Sequence, residues 1–370
     1  MKVVFRADAS QHIGTGHIMR SLTLADALNA RGAECRFICR EHPGNLIEFI
    51  RSKGYPVHGL PFSEPQGSNF RVVNEAGSGT RLPHSAWLGA TLEQDVAACA
   101  VILGELETDW LVVDHYALDS RWEVALKRNY HKLMVIDDLA DRPHQSNVLL
   151  DQTLGRNPAD YAPWLSAKCT LLCGSQYALL RPEFAKLRAY SLARRENAQL
   201  RHLLISMGGV DKDNVTGQVL HTLQSSGLPA DCRITVVMGA TAPWLTQVRQ
   251  QAQQMSWPVD VRVNVNDMAQ LMADSDLAIG AAGSTSWERC CLGLPTVLVV
   301  LADNQRQVAR ALEQVGAAYV LQDPQVIKEH LPQALASLIP SPSSRSAMSQ
   351  AAQRISDGNG VAAVIQHLES

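Results

Sequence analysis

Short apolar runs bounded by polar residues alternate, along most of the chain, with stretches in which apolar residues recur at helical spacing. The runs that predict strands in the first half are Val3 to Phe5, Arg36 to Cys39, Pro56 to Leu60, Trp110 to Asp114, Lys132 to Ile136 and Val148 to Leu150. Those in the second half are His202 to Ser206, Arg233 to Met238, Val259 to Val263, Leu277 to Ile279, Thr296 to Leu301 and Ala318 to Leu321. Such alternation is typical of parallel sheets with crossover helices. The pattern therefore predicts an α/β protein with two Rossmann-like domains.

Changes in composition predict the domain boundaries. Residues 192–200 are polar and charged, and we interpret them as the linker between a first domain, 1–191, and a second domain, 201–342. The final segment, 343–370, predicts a helix that can pack back on the first domain. Residues 61–85 are rich in Ser, Gly, Asn and Pro without any period, which predicts a long surface loop, either mobile or a lid.

The overall composition is that of an ordinary globular protein. The chain has 370 residues, of which 46% are hydrophobic, and this suits about two domains. A formal charge of −3 and the lack of a basic block argue against nucleic acid or an anionic membrane as partner. No apolar run approaches the ~20 residues that span a bilayer, and the N-terminal segment predicts a strand rather than a signal peptide. We expect a cytoplasmic protein, and a monomer.

The eight cysteines lie mostly inside apolar patterns, and no two are spaced as Cys-x-x-Cys. No histidine or second cysteine pair completes a zinc set near Cys169 and Cys173. We interpret the cysteines as core thiols in a reducing compartment. Neither a metal nor a cofactor is expected.

The most informative segment is the turn after the first strand, where Gly14 and Gly16 precede His17. Apolar residues from Ile18 to Leu28 then recur at helical spacing, so His17 opens a helix. Free N–H groups and the helix dipole at that end disfavour an imidazolium, which leaves a neutral imidazole that can act as a base. The alternative is a helix-start histidine satisfied by local hydrogen bonds.

A dinucleotide site is a second alternative for this turn. The third glycine position of the dinucleotide pattern is occupied by Met19, whose side chain would crowd the contact between helix and strand. Glu41, however, follows the second predicted strand about where a ribose-binding acid would stand. A nicotinamide site is therefore disfavoured but stays open.

Two glycine turns follow predicted strands of the second half. Gly208-Gly209 comes after the strand ending at Ser206, and Gly283-Ser284 comes after Leu277 to Ile279. Small residues let the backbone N–H groups approach an anion such as a diphosphate. Thr285 and Glu288 have the spacing of a capping box, and a carboxylate that caps the helix is less free to accept from sugar hydroxyls. No Gly-Lys-Ser/Thr arrangement follows either turn, so a nucleoside-triphosphate P-loop is not supported.

Further polar residues stand where strands end and are candidates for contacts with a sugar: Asp8, His115, Tyr116, Asp137, Asn304 and Gln305. Asp8 either orients His17 or a sugar hydroxyl, or satisfies turn amides. Asp137 either binds sugar or caps a turn, and the case for Asp138 is weaker. Arg20, one turn after His17, either faces a phosphate or carboxylate or forms a surface ion pair. The tryptophans, Trp87 among them, are interpreted as core or rim.

Several motifs together resemble the nucleotide-sugar hydrolases of pseudaminic acid synthesis, which are related in fold to the peptidoglycan N-acetylglucosaminyltransferase. The motifs are Gly14-Thr-Gly-His-Ile-Met-Arg20, Val113-Asp-His-Tyr116, Ile136-Asp-Asp138, Tyr177-Ala-Leu-Leu-Arg-Pro-Glu-Phe184, Met207-Gly-Gly209 and Gly283-Ser-Thr-Ser-Trp-Glu288. The resemblance covers roughly Lys2 to Tyr319, and the order and spacing of the motifs are its specific part.

The resemblance implies a glycosyltransferase-B-like architecture with a ligand cleft between the domains. UDP would be held by the second domain at Gly208, Gly209, Gly283, Ser284, Thr285 and Glu288. The sugar would meet Asp8, Gly14, Gly16, Arg20, His115, Tyr116, Asp137, Asn304 and Gln305. His17 would act as base for inverting attack of water on UDP-2,4-diacetamido-2,4,6-trideoxy-β-L-altropyranose, without a metal. The alternatives are a UDP-sugar-dependent glycosyltransferase on the same scaffold and a nucleotide-sugar binding protein without turnover.

Overall fold

The computed structural model describes residues 1–63, 82–196 and 199–369. They form two compact units. Unit 1 comprises the described residues of Met1–Gln152, Arg156–Tyr177 and Val361–Ser370, and unit 2 comprises those of Thr153–Gly155 and Ala178–Gly360. Most of the segment predicted as a long loop, residues 64–81, lies outside the described residues.

Unit 1 is built on a parallel sheet of seven strands. They are β1 (Lys2–Ala7), β2 (Glu34–Arg40), β3 (Val57–Leu60), β4 (Trp110–Asp114), β5 (Lys132–Ile136), β6 (Val148–Asp151) and β7 (Thr170–Cys173), in the order β3-β2-β1-β4-β5-β6-β7. The helices before residue 177 are α1 (Gly16–Asn29), α2 (Ile47–Ser52), α3 (Leu92–Gly104) and α4 (Ser120–Ala125). All six strands predicted for the first half are confirmed, and β7 is an additional strand.

Unit 2 contains a parallel sheet of six strands. They are β8 (His202–Ser206), β9 (Arg233–Met238), β10 (Val259–Val263), β11 (Leu277–Ala281), β12 (Thr296–Val299) and β13 (Tyr319–Leu321), in the order β10-β9-β8-β11-β12-β13. Its helices are α5 (Pro182–Arg195), α6 (Val215–Leu223), α7 (Leu245–Gln253), α8 (Met268–Asp274), α9 (Thr285–Cys291), α10 (Arg306–Gln314), α11 (Ile327–Leu338) and α12 (Pro342–Ala352). The helix that follows, α13 (Gly360–Glu369), lies almost entirely in unit 1. Short 3-10 helices cover Ser85–Leu88, Lys127–Asn129, Pro158–Tyr161, Ser175–Tyr177, Asp303–Gln305 and Pro324–Val326. The strands predicted for the second half are confirmed.

Both faces of the sheet in unit 2 are covered. Leu203 and Ile205 on β8 pack into the core on one face, while Leu204 between them packs into the core on the other. All three side chains are almost fully buried. Strands buried on both faces read as continuous apolar runs, which explains why the apolar pattern locates them so well.

The division between the units differs from the predicted one. It falls after Tyr177, and α5, which contains the first residues of the predicted linker 192–200, belongs to unit 2. The charged character of this stretch is misleading because Arg195 is buried, and its guanidinium donates to the carbonyl oxygens of Leu292, Ser275 and Met272. The predicted final helix of residues 343–370 is also two helices, of which only α13 lies almost entirely in unit 1.

One segment, Ser85–Gly104, has the length and apolar composition of a membrane-crossing helix. It is not one continuous helix, because Gly89 has a φ of +62° and separates the 3-10 helix Ser85–Leu88 from α3. The side chain of Asp95 on α3 is fully buried and forms ion pairs with Arg6 and Arg40. Cys99 and Leu103 pack in the core of unit 1 while most of the segment is not buried, so α3 packs against that core with one side.

The cysteines are mostly core thiols, as predicted. Six are buried, Cys169 and Cys173 are partly buried, and all eight are free.

Candidate active site

The strand order of unit 1 places a ligand-binding position between β1 and β4. The chain leaves β1 toward β2 on one side and returns to β4 on the other, and open α/β sheets bind ligands at this kind of switch point, beyond the carboxyl ends of the strands. The segment after β1 turns tightly: Gly14 has a φ of +81° and its N–H donates to Ser10 O at 2.9 Å. Helix α1 then begins at Gly16, so His17 stands at the switch point.

His17 is paired with a carboxylate at the end of the neighbouring strand. Its Nδ1 lies 2.6 Å from Oδ1 of Asp114, the last residue of β4. Both side chains are buried, and the partner is distant in sequence, not local. Because a carboxylate only accepts hydrogen bonds, Nδ1 carries a proton, and in the neutral imidazole Nε2 then keeps its lone pair. Within the described residues, nothing in the protein donates to Nε2, so this nitrogen is left as an acceptor.

Arg20 fixes the same carboxylate from the other side. Its Nε lies 2.6 Å from Oδ2 of Asp114 and its Nη2 lies 2.7 Å from Oδ1, a two-point contact that holds the carboxylate plane. Burial alone would raise the pKa of Asp114, but Arg20 and His17 outweigh it and hold that pKa well below its usual range. Asp114 is therefore ionised, and Arg20 forms a buried ion pair rather than a surface one.

Asp138, not Asp137, joins this cluster. One oxygen of Asp138 accepts from Arg20 Nη1 and, at 2.9 Å, from the Tyr116 hydroxyl. Asp137 is fully buried instead, accepts from Ala140 N and Tyr161 Oη, and pairs with an arginine. Asp137 thus holds a turn, which is one of the two roles predicted for it, and Asp138 is the carboxylate that lies beside Arg20.

Aromatic rings surround the imidazole of His17. The Tyr116 ring meets it edge to face at 4.6 Å between centroids, and Trp87 stacks on Tyr116 at 5.8 Å. The His84 ring lies 4.5 Å from that of Trp87. Burial lowers the pKa of His84, and the charge of Arg142 acts in the same direction. Trp87 and His84 are partly exposed, so they form a wall beside the base.

Asp8 and His115 belong to a different network. Asp8 is fully buried, where one of its oxygens accepts from Arg6 Nη1 and from Arg40 N, each at 2.7 Å. Its other oxygen lies 3.0 Å from Nε2 of the buried His115. Within the described residues, Asp8 makes no hydrogen bond with His17. Asp8 instead holds the backbone at the end of β2, which is closer to the predicted alternative of a carboxylate that satisfies backbone amides than to one that orients His17. His115 lies buried beside it.

The switch point of unit 2 lies between β8 and β11, and both predicted glycine turns follow these strands. Gly208 has a φ of +90°, which favours glycine. The backbone beside it is closely packed: Gly239 N donates to Gly209 O at 3.0 Å, and a Cβ on Gly239 would stand only 2.1 Å from that oxygen. Glycines here allow the loops after β8 and β9 to touch through their backbones.

Helix α9 begins after the second turn without the predicted capping box. Ser284 stands at the N-cap and makes no side-chain cap, and Thr285 Oγ1 accepts from Arg289 Nη1 at 3.1 Å. In the part of the chain that the structure describes, the Glu288 carboxylate makes no hydrogen bond. Burial raises the pKa of Glu288, while the charges of Arg181 and Arg289 oppose the rise. The carboxylate is thus free to accept from hydroxyl groups.

Gln305 lies close to the same turn. Its Oε1 accepts from Leu301 N at 2.9 Å, and its Nε2 lies 4.0 Å from the place where a Cβ on Gly283 would stand. Asn304 is exposed on the 3-10 helix beside it. The structure therefore brings Gly283, Thr285, Glu288 and Gln305 together at the carboxyl end of the sheet in unit 2. No group of three or more His, Cys, Asp or Glu side chains within the described residues is placed to hold a metal ion.

Two doubly wound units of this kind define the glycosyltransferase-B class, and solved structures share the fold. Acinetobacter baumannii MurG matches with a TM-score of 0.70 at 16% identity, over 100% of this chain and 99% of that protein. The chain belongs to glycosyltransferase family 28, because the model of the family's C-terminal domain matches residues 172–367.

Curated relatives extend across more of the chain. The UDP-2,4-diacetamido-2,4,6-trideoxy-β-L-altropyranose hydrolase of Campylobacter jejuni is 27% identical over 317 residues, which are 85% of this chain and 97% of the relative. The UDP-N-acetylglucosamine-N-acetylmuramyl-(pentapeptide) pyrophosphoryl-undecaprenol N-acetylglucosamine transferase of Geobacter sulfurreducens is 27% identical over 207 residues, 54% of this chain and 55% of the relative. The resemblance inferred from the motifs is confirmed by these relatives.

Proposed function

We propose that the protein hydrolyses a UDP-sugar, releasing UDP and the free sugar, with UDP-2,4-diacetamido-2,4,6-trideoxy-β-L-altropyranose as substrate. The observation that carries the proposal is the buried pair of His17 and Asp114, in which Nε2 of the imidazole is left as a base. The identity of the sugar rests on the Campylobacter jejuni relative, which aligns over nearly its whole length.

Unit 1 supplies the base in this proposal. Nε2 of His17 takes a proton from water as the water oxygen attacks the anomeric carbon. The bond from that carbon to the glycosidic oxygen breaks, and its electron pair leaves with UDP, so that attack opposite UDP inverts the configuration. Asp114 keeps the imidazole in the required tautomer and stabilises the imidazolium that forms. A positioned base of this kind contributes ~10²–10⁴-fold to the rate.

Unit 2 supplies the nucleotide contacts. Backbone N–H groups at Gly208, Gly209 and the turn from Gly283 to Thr285 are donors for the diphosphate, whose developing charge must be stabilised as it leaves. The unpaired carboxylate of Glu288 suits a pair of hydroxyl groups such as those of ribose. Gln305 offers its amide beside Gly283. The position of both loops at the strand switch supports this assignment.

A glycosyltransferase is the second candidate, because the relatives include N-acetylglucosamine transferases. The two functions differ in whether water or a hydroxyl group of an acceptor meets His17. A binding protein without turnover is disfavoured because the relatives that match most of the chain or half of it are named as enzymes, a hydrolase and a transferase.

The deciding experiment is incubation with the UDP-sugar in the presence of a chelator and without any acceptor. Steady release of UDP supports hydrolysis, and no release in the absence of an acceptor overturns it. In ¹⁸O-labelled water the label is expected in the sugar and not in UDP. Label in UDP would show attack at phosphorus and would exclude the role proposed for His17.

A further inference from the structure

Arg289, a residue of α9 that the proposed mechanism does not use, is held directly beneath the glycine turn of unit 2. Its side chain is 3% exposed. Nη2 donates to Ala281 O at 2.7 Å and to Ser286 Oγ at 3.0 Å, and Nη1 donates to Thr285 Oγ1 at 3.1 Å. All three acceptors belong to the segment that leaves β11 and enters α9, so the guanidinium braces the turn from below.

The guanidinium of Arg289 makes no close ion pair in the part of the chain that the structure describes, although the carboxylate of Glu288 interacts with it at longer range. Within the described residues, no carboxylate oxygen lies within 4.0 Å of its guanidinium nitrogens, and the neighbouring Glu288 is beyond that distance. Its Nε is buried and makes no hydrogen bond. Burial lowers the pKa of Arg289 to about 10, which still leaves it cationic at neutral pH. An unpaired buried charge is destabilising unless something else compensates it.

Gly280 makes room for this cation at the strand switch. A Cβ on Gly280 would stand 2.8 Å from Arg289 Nη1 and 3.0 Å from Ser206 O at the end of β8. The guanidinium therefore lies close to the boundary between β8 and β11, below both glycine turns. An effective dielectric constant of about 20 is typical inside proteins, and a charge there still acts across the thickness of a loop.

The bonding of Arg289 also directs a hydroxyl group. A guanidinium only donates, so Thr285 Oγ1 is an acceptor in this contact and its own hydrogen must point elsewhere. In the described structure that hydrogen has no acceptor within the protein, and Thr285 is partly exposed. Thr285 is therefore set to donate to an anion that approaches the turn.

We propose that Arg289 is a positioning residue for the nucleotide, and that its unpaired charge is balanced by the diphosphate of the bound ligand. The proposal rests on the proposed function, because it requires that unit 2 binds UDP. Arg289 does not contact the phosphates itself. It holds the backbone of the turn and the hydroxyl group of Thr285 in place, and its positive charge attracts the diphosphate from a distance.

The test compares the affinities of uridine, UMP and UDP, measured by calorimetry at one ionic strength, for the wild-type protein and Arg289→Met. The variant is expected to bind UDP at least ~10-fold more weakly, equivalent to about 1.4 kcal/mol, while its affinity for uridine stays within about twofold. Arg289→Lys keeps a charge and is expected to preserve most of the preference for UDP over uridine. Where Arg289→Met does not fold, Arg289→Gln is expected to show the same selective loss.

Arg195→Met is the matched control. Arg195 is also buried and also donates only to protein carbonyls, those of Leu292, Ser275 and Met272. Ser275 and Leu292 precede β11 and β12, so Arg195 lies near the amino ends of these strands, whereas the glycine turns follow the carboxyl ends of β8 and β11. This control should lower stability without changing the ratio of the affinities for UDP and uridine.

Three results would overturn the proposal. A wild-type protein that does not bind UDP would remove both the proposed function and this inference. Equal losses for uridine and UDP in Arg289→Met, with UDP binding intact in the wild type, would reject the role of Arg289 alone and make it a folding residue. An Arg289→Lys variant that behaves like Arg289→Gln would show that charge is not what the site requires.

Discussion

Nδ1 of His17 lies 2.6 Å from Oδ1 of Asp114, although the two residues are 97 positions apart in the chain. The contact follows from the topology: β1 pairs with β4 in parallel, with Ala7 opposite Asp114, and α1 starts just beyond the end of β1. The end of one strand thus supplies the carboxylate and the helix after its neighbour supplies the imidazole. The contact fixes the orientation of the His17 ring and, in its neutral form, places the proton on Nδ1, which is the arrangement that the proposed mechanism requires.

Asp114→Asn tests the orienting carboxylate. The amide removes the negative charge and no longer favours the tautomer with the proton on Nδ1, so we expect kcat to fall by ~10²-fold or more while the affinity for UDP stays unchanged. Asp137→Asn is the matched control, since Asp137 is equally buried but pairs with Arg142 and, within the described residues, makes no hydrogen bond with His17. The control should lose thermal stability and keep its turnover per folded molecule. Equal effects on turnover would contradict the assignment.

His17→Leu removes the base itself. We expect hydrolysis to disappear and UDP binding, measured by calorimetry, to persist, because the predicted UDP contacts all lie in unit 2. His115→Gln provides the comparison: His115 is buried beside Asp8 and, within the described residues, makes no hydrogen bond with His17. It should retain turnover at reduced stability. A loss of UDP affinity in His17→Leu as large as the loss of rate would instead make His17 a binding residue.

Trp87→Ala tests the wall beside the base. Trp87 stacks on Tyr116, which in turn meets the His17 ring edge to face, so its removal leaves a gap where the sugar of the substrate would pack. We expect KM for the UDP-sugar to rise by ~10-fold, in line with about 0.5–1.5 kcal/mol for an aromatic pair, and the affinity for UDP alone to stay unchanged. Trp164→Ala, also partly buried in unit 1, is the control and should leave KM unchanged. A change in UDP affinity would remove Trp87 from the sugar side.

The apolar pattern locates every strand of both sheets except β7, with ends that differ by at most two residues, and the structure shows why. Strands such as β4 are buried along their whole length, and strands that are buried on both faces consist of consecutive apolar residues. Strand β7 is missed, and its burial is weaker than that of β4: one of its four residues is buried, two are partly buried and one is exposed. The stretch around Arg195 is wrongly predicted to be a linker because it is rich in charged residues. Arg195 is nevertheless buried, and its guanidinium donates to backbone carbonyl oxygens.

The site is predictable only where it is local. A strand, two glycines and a helix place His17 from a few consecutive residues. Its partner depends on which strand lies beside β1, and neither composition nor spacing states that Asp114 rather than Asp8 faces the imidazole. Asp137 and Asp138 also could not be told apart from the sequence. Adjacent residues of a strand point to opposite sides, so one of the two carboxylates is buried and the other lies beside Tyr116.

Asp95 is expected to make the stability of unit 1 sensitive to acid. Asp95 accepts from Arg6, Arg40 and Trp122 in the core. Burial acts to raise its pKa, but the two arginines outweigh burial and lower the pKa to about 2. In the unfolded chain an aspartate titrates near ~3.9, so acid protonates the unfolded state first. The stability that Asp95 contributes is therefore complete above about pH 4 and is lost as the pH falls toward 2, by ~2–3 kcal/mol.

Denaturant unfolding followed by tryptophan fluorescence between pH 5.5 and 3 checks this. Asp95→Asn should start about 3–5 kcal/mol less stable, because it leaves two buried arginines short of a counterion, and its free energy of unfolding should depend less steeply on pH than that of the wild type. Asp109→Asn changes an exposed carboxylate on the same unit and should run parallel to the wild type. Parallel curves for all three proteins would mean that the acid sensitivity arises from other carboxylates, since only a native-state pKa well below the unfolded one produces the predicted difference in slope.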